Sequence, residues 1–174
     1  MAGRGGVHRR LAIVHRQVPG ARVVYVGQGS AWEEISRRAR SLPEGAVEMV
    51  PTVPPEVAAQ WQRGAVASLV SIKPDQGYDF AYPTKIYAAL ASGTPVLYAG
   101  PGGAAPDDIE EHRLGRAVGY DAEEIAGAML SFLSGTGGHL DAARLAGWAR
   151  SHVSSERSGR AAAQEVISVV TAPS

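Results

Sequence analysis

Four short runs, Arg22 to Val26, Val47 to Val50, Ala65 to Ile72 and Val96 to Ala99, with a weaker one at Gly115 to Gly119, are separated by stretches of helical periodicity. The runs are nearly all apolar instead of alternating, which is the pattern of strands covered on both faces. Strands of that kind alternating with helices predict an α/β fold with a doubly wound parallel sheet. The predicted helices cover Val7 to Val18, Trp32 to Leu42, Glu56 to Arg63, Thr84 to Ser92, Pro106 to Glu111 and Ala122 to Leu133. Two more, near 140–152 and 155–170, finish the chain. Apolar stripes at Val7, Leu11, Val14 and Val18, at Trp32, Ile35, Ala39 and Leu42, and at Ile125, Met129, Phe132 and Leu133 support them. Pro19-Gly20, Pro43 to Gly45, Gly93 to Pro95 and Gly135 to Gly138 supply the breaks.

Length and charge narrow the function. A chain of 174 residues suffices for one domain with a core and is short for two. With 17 basic and 17 acidic residues it has no basic surplus of the kind a nucleic-acid binder uses. Without cysteine there is no disulfide framework, thiolate metal site or thiol nucleophile. His8, His15, His112, His139 and His152 lie apart without metal-ligand spacing, so no metal is expected. No apolar segment is long enough for a signal peptide or a membrane span, so a cytoplasmic location is expected.

In a doubly wound sheet, ligands bind beyond the carboxyl ends of the strands. Those ends lead here into Gly27 to Ser30, Pro51 to Pro54, Lys73 to Thr84 and Gly100 to Ala104. Gly27-x-Gly29 lacks the third glycine of a dinucleotide fingerprint, since Trp32 stands there, and no acidic residue closes the next strand in the expected way. No P-loop and no G-x-S-x-G elbow occurs. The paired carboxylates Glu33-Glu34, Asp107-Asp108, Glu110-Glu111 and Glu123-Glu124 fall in first turns or on outer helix faces, where solvent and the helix dipole account for most of them.

The stretch Tyr82 to Pro101 stands out. Pro83 and Thr84 open a short helix, and Lys85 adds a positive charge to its first turn, where free amides already favour an anion. Lys73 flanks the other end of the same long loop, and the two are the only lysines of the chain. Thr84, Lys85, Lys73 and the helix amides thus form a candidate diphosphate seat. The same residues also fit an ordinary crossover with solvated lysines.

The order of the motifs resembles the C-terminal, nucleotide-sugar-binding half of two-Rossmann-domain, family-4-type retaining glycosyltransferases. The matching strings are V-V-Y-V-G-Q-G-S from Val23, V-x-x-V-P-x-V-P-P-E-V from Val47, A-S-L-V-S-I-K-P, and P-T-K-I-Y-A-A-L-A-S-G-T-P-V-L from Pro83, the last being the most specific. The resemblance runs from about Gly5 to Val170. It implies that residues 1–174 form a single Rossmann-like domain that includes helices within 139–170. It places the donor's base near Val50, Pro51 and Thr52 and the diphosphate on Thr84 and Lys85.

Two departures follow from the same comparison. The family's pair of glutamates is replaced by Phe80 and Ala88, with Asp79 beside the first as a substitute. The strand before the first helix, and the Arg and Lys of its loop, have no counterpart except Arg4, so the sheet is expected to lack its first strand. The implied partners are a nucleoside diphosphate sugar as substrate and an N-terminal acceptor-binding domain outside this chain, the latter also the only route to peripheral membrane association. No cofactor is implied. The alternative is a noncatalytic, degenerate Rossmann module that binds a partner chain. A sugar-nucleotide epimerase fits less well, because its carboxylates and histidine have no place here.

Overall fold

The structure, a computed structural model, describes residues 7–29, 32–74, 82–136 and 140–153. Its elements run α1 (Val7–Gln17), β1 (Val23–Val26), α2 (Trp32–Ala39), β2 (Val47–Val50), α3 (Pro55–Arg63), β3 (Ser68–Ser71), α4 (Thr84–Ala91), β4 (Val96–Ala99), α5 (Ala104–Glu111), β5 (Gly115–Val118), α6 (Ala122–Leu133) and α7 (Ala142–Val153). All the pairing is parallel, as the apolar runs and the alternation with helices imply. The helix expected over 155–170 lies outside the described residues.

The sheet is divided. β1 pairs with β2, Val23 opposite Val47 and Val26 opposite Val50. β3, β4 and β5 form a second sheet in that order, with Leu97 opposite Leu69 on one side and Arg116 on the other. Burial follows the number of neighbours. β4 has a strand on each side and is buried at all four positions, whereas the equally apolar V-V-Y-V of β1 is only half-buried and rises to 37% exposure at Val26. Coverage of every strand on both faces therefore holds for β4 and not for β1 or β2.

Most of the core lies under α4, α5 and α7. Val70, Ile86, Leu90, Val96, Tyr98, Ile109, Leu114 and Leu145 form one buried cluster. A smaller cluster of Val14, Ala21 and Ala126, flanked by Ile13, Val18, Met129 and Leu133, locks α1 against α6. The stripe expected on α2 buries none of its residues, and that helix stops at Ala39 because Ser41 and Leu42 bond back three residues, to Arg38 and Ala39. β3 is shorter than the apolar run suggests: Ala65 bonds back to Gln62 in the turn after α3, and Val66 is 57% exposed. α5 starts two residues earlier than Pro106 implies. Pro106 sits within its first turn, where a missing N–H costs no helical bond.

Local signals set the remaining boundaries. Asp121 caps α6 by accepting from the amides of Glu123 and Glu124 at 2.8 and 3.1 Å. Gly93 ends α4 with φ +78°, and a Cβ there would stand 2.9 Å from Ala142 Cβ and 3.2 Å from its carbonyl oxygen, at the start of α7. The close contact of α4 with α7 thus depends on a missing side chain. Gly135, with φ +74°, has open space around it. Gly93→Ala is expected to destabilise by about 3 kcal/mol, backbone strain and steric overlap combined, and Gly135→Ala by about 1 kcal/mol from the backbone alone. Urea denaturation of both variants measures the difference, and equal losses would remove the Ala142 contact as a constraint.

Candidate functional site

Each strand of a parallel sheet hands the chain to a helix whose start lies at the strand's carboxyl end. Of these helix starts, α3, α4 and α5 have no side-chain cap: their N-cap positions hold Pro54, Pro83 and Gly103. The later helices differ, since Asp121 caps α6 and Asp141 accepts from the Ala143 amide at 2.9 Å. Amides without a side-chain acceptor, at the positive end of a helix dipole, are suited to an external anion.

The start of α4 sorts its side chains by facing. Ile86, Ala89 and Leu90 are buried in the core, and Thr84, Lys85 and Ala88 face solvent. Pro83, with φ −68° and ψ 121°, brings the chain in extended, and its carbonyl accepts from the Ile86 amide at 3.0 Å. Lys85 is exposed and enters no ion pair among the described residues. Lys73 is exposed two residues past β3. Val50 is the half-buried last residue of β2, and Pro51 and Thr52 are exposed on the way to α3. These residues all lie at or past strand carboxyl ends or at the helix starts that follow them. Asp79 and Phe80 lie outside the described residues.

A contact that the sequence reading missed ties α4 to α5. The Tyr82 hydroxyl donates to Asp108 Oδ2 at 3.0 Å, and the Tyr82 ring stacks on Tyr87 with centroids 4.9 Å apart. Burial first, then the bond to Asp108 and the nearness of Tyr87, pushes the Tyr82 phenol far above its ordinary range, so it remains a donor. The stack continues through Tyr87 to Trp148, 6.2 Å away, and on to His152 at 4.1 Å. The partners Tyr82 and Asp108 are 26 residues apart, and no local pattern announces the pair. Other carboxylates read as solvated also hold backbone: Glu110 accepts from the Ala117 amide at 2.6 Å and Glu124 from Gly119 at 3.0 Å. They stitch α5 and α6 to the end of β5.

Among the described residues no group of histidine and carboxylate side chains is arranged to hold a metal, and no helix is long and apolar enough to cross a membrane. A cavity of about 700 Å³ lies away from the strand ends, between α1 and α6, lined by Ile13, Arg16, Leu42, Glu123 and Leu130. None of the candidate site residues lines it.

The sequence profile described as "Glycosyl transferases group 1" matches residues 7–135. Among solved structures, the chain is similar to the crystal structure of AviGT4, a glycosyltransferase involved in Avilamycin A biosynthesis, with a TM-score of 0.61 and 23% identity. That match covers 84% of this chain and 42% of the other, so the chain spans less than half the length of that glycosyltransferase. At this identity the likeness shows the fold: parallel sheets with helices, as in the Rossmann-like half of a GT-B glycosyltransferase. No curated protein matches the sequence.

Tyr82→Phe removes one hydrogen bond to a carboxylate and keeps the ring stack. It is expected to lower stability by about 1–2 kcal/mol in urea denaturation, and an unchanged midpoint would show that the Asp108 contact does not fix the start of α4.

Proposed function

The chain belongs to the glycosyl transferases group 1, and from that premise we propose that it is the donor-binding part of a glycosyltransferase that moves a sugar from a nucleoside diphosphate sugar to an acceptor. The observation that carries this reading is the start of α4: amides with no side-chain cap, followed by Lys85, exposed and without an ion pair among the described residues. A diphosphate seated there would accept hydrogen bonds from those amides and from the Thr84 hydroxyl, and Lys85 would add charge. Lys73 would approach from the end of β3. Val50, Pro51 and Thr52, at the end of β2, would border the base, and Asp79 would stand in for the first glutamate of the family.

Catalysis in this reading is electrostatic. The group that leaves the anomeric carbon is a diphosphate, and helix amides with lysine charge favour the negative charge that builds on it as the bond breaks. No metal and no cofactor is required by these residues. The acceptor would be held by a second Rossmann-like domain, and the 174 residues taken alone would turn over no nucleotide sugar. The domain is taken as a single one across 1–174, working in the cytoplasm.

A second reading has one observation in its favour. Ala88 is exposed on α4, one turn beyond Thr84, at a position where the family has a glutamate that grips the ribose. A methyl group accepts no hydrogen bond, so the ribose is held weakly at best, as in a noncatalytic module that docks on another chain. Calorimetric titration with UDP and GDP separates the two. Donor binding predicts a measurable Kd for at least one nucleotide, weakened about five- to tenfold by Lys85→Ala. Absence of heat with both nucleotides would favour the noncatalytic module, and an affinity untouched by Lys85→Ala would take Lys85 out of the site. Release of free sugar from a nucleotide sugar by the purified chain would overturn the prediction of inactivity.

A further inference from the structure

Tyr82, two residues before Thr84, is gripped from two directions. Its hydroxyl donates to Asp108 on α5, and its ring begins a ladder of nearly parallel rings. Tyr82 stacks on Tyr87 at 15°, Tyr87 on Trp148 at 12° with centroids 6.2 Å apart, and Trp148 on His152 at 11° and 4.1 Å. Trp148 and His152 belong to α7, so the ladder crosses from the start of α4 to the last helix of the described chain. Tyr82 and Trp148 also pack against the main core cluster. Stacked rings attract one another in preferred geometries, so each limits how its neighbour can tilt.

α7 is in turn fixed to α5. Arg144 donates to the carbonyl oxygens of His112, at 2.9 Å, and of Arg113, at the end of α5. The His112 ring leans on Trp148 with centroids 5.7 Å apart. The contacts therefore form a closed circuit: Tyr82 to Asp108 on α5, α5 to Arg144 on α7, and α7 through Trp148 and Tyr87 back to Tyr82. Trp148 joins this circuit as a ring and not as a donor, since its Nε1 is buried without a hydrogen-bond partner among the described residues.

We propose that Trp148 is a positioning residue for a bound diphosphate: acting through Tyr87 and Tyr82, it holds the Thr84 and Lys85 amides and the Lys85 side chain in fixed relative places. The inference rests on the reading of α4 as the donor's phosphate seat and adds to it a residue of a different helix. A single phosphate settles on whichever donor is open. A diphosphate makes its additional bonds only when several donors keep their spacing. Trp148 thus acts on the preference for diphosphate over monophosphate, and not on affinity alone.

The test is calorimetric titration of the full chain with UDP, GDP, UMP and GMP, with ¹⁵N NMR spectra of the free chain alongside. The unaltered chain is expected to bind at least one diphosphate about tenfold more tightly than its monophosphate, and Trp148→Leu to cut that ratio about fivefold. In the free chain the same substitution is expected to shift the amides of Thr84 and Lys85. Trp148→Phe, which restores a ring, is expected to recover most of the ratio. Gly135→Ala, outside the circuit, is expected to lower the Tm and leave the ratio unchanged, which separates positioning from loss of stability. Tyr87→Leu breaks the same path one ring earlier and carries the test if Trp148→Leu does not fold. Where both fold, the double variant is expected to lose no more than either single one, as for two links of one path. A ratio untouched by these substitutions, additive losses in the double variant, or a Trp148→Phe as poor as Trp148→Leu overturns the role of Trp148 and leaves the donor site standing. Absence of heat with both diphosphates in the unaltered chain overturns the donor site, and this inference with it.

Discussion

Parallel pairing is the constraint from which the candidate site follows. Two parallel neighbours cannot be joined by a hairpin, so the chain must cross back over the sheet, and a helix is the crossover that satisfies its own backbone. Every strand therefore hands over to a helix on the same side. In this chain β2, β3 and β4 each deliver the start of the next helix, α3, α4 and α5, beyond their carboxyl ends, and none of the three has a side-chain cap. The positive ends of three dipoles are a by-product of topology. What is particular to this sequence is that Pro54, Pro83 and Gly103 leave the amides behind them without a side-chain acceptor.

The same pairing makes stability uneven. β4 gains its burial from β3 and β5 together, and the helices on its faces complete a core that includes Ile86, Ile109, Leu114 and Leu145 at full burial. At the far end of α4, the buried Thr94 donates to the Gln62 carbonyl at 2.7 Å and Ser92 to Gln62 Oε1 at 3.0 Å, which ties the helix to the end of α3. So α4 is anchored at its start by Tyr82 and Asp108, along its length by the core, and at its end by Gln62 and Gly93. A diphosphate seat works only if its amides stay in register, and this helix is held from both ends. β1 and β2, with one neighbour each, lack that support.

Much of this was legible from residue patterns. Period and punctuation placed every strand and placed α4 and α6 almost to the residue, because Gly93, Pro95 and the Gly135 break are local devices whose effect needs no distant partner. In α4 the structure turns Thr84 and Lys85 outward and Ile86 inward. Long-range pairs were not legible. Tyr82 meeting Asp108, and Glu110 meeting the Ala117 amide, join residues from different elements, and the carboxylates looked like ordinary charges on helix faces. Arg10 is a different failure. Its place on the apolar stripe of α1 was visible, but an arginine there is usually read as snorkelling to solvent, and only the packing of α1 against α6 and Tyr120 shows that it cannot.

The distribution of caps carries one further step of argument. A carboxylate at an N-cap and a ligand phosphate compete for the same amides, so a helix start cannot serve both. Asp121 and Asp141 commit α6 and α7 to internal caps, and those two helices follow the outermost strand of the three-stranded sheet and the final turn of the described chain. The uncapped starts belong to the helices that follow β2, β3 and β4, beyond strand carboxyl ends of the kind at which a doubly wound sheet takes its ligands. An uncapped start costs the isolated helix about 1 kcal/mol relative to an aspartate or serine cap. Three in succession, with Lys85 in the first turn of the middle one, leave more helix amides open to an external anion than capped starts would.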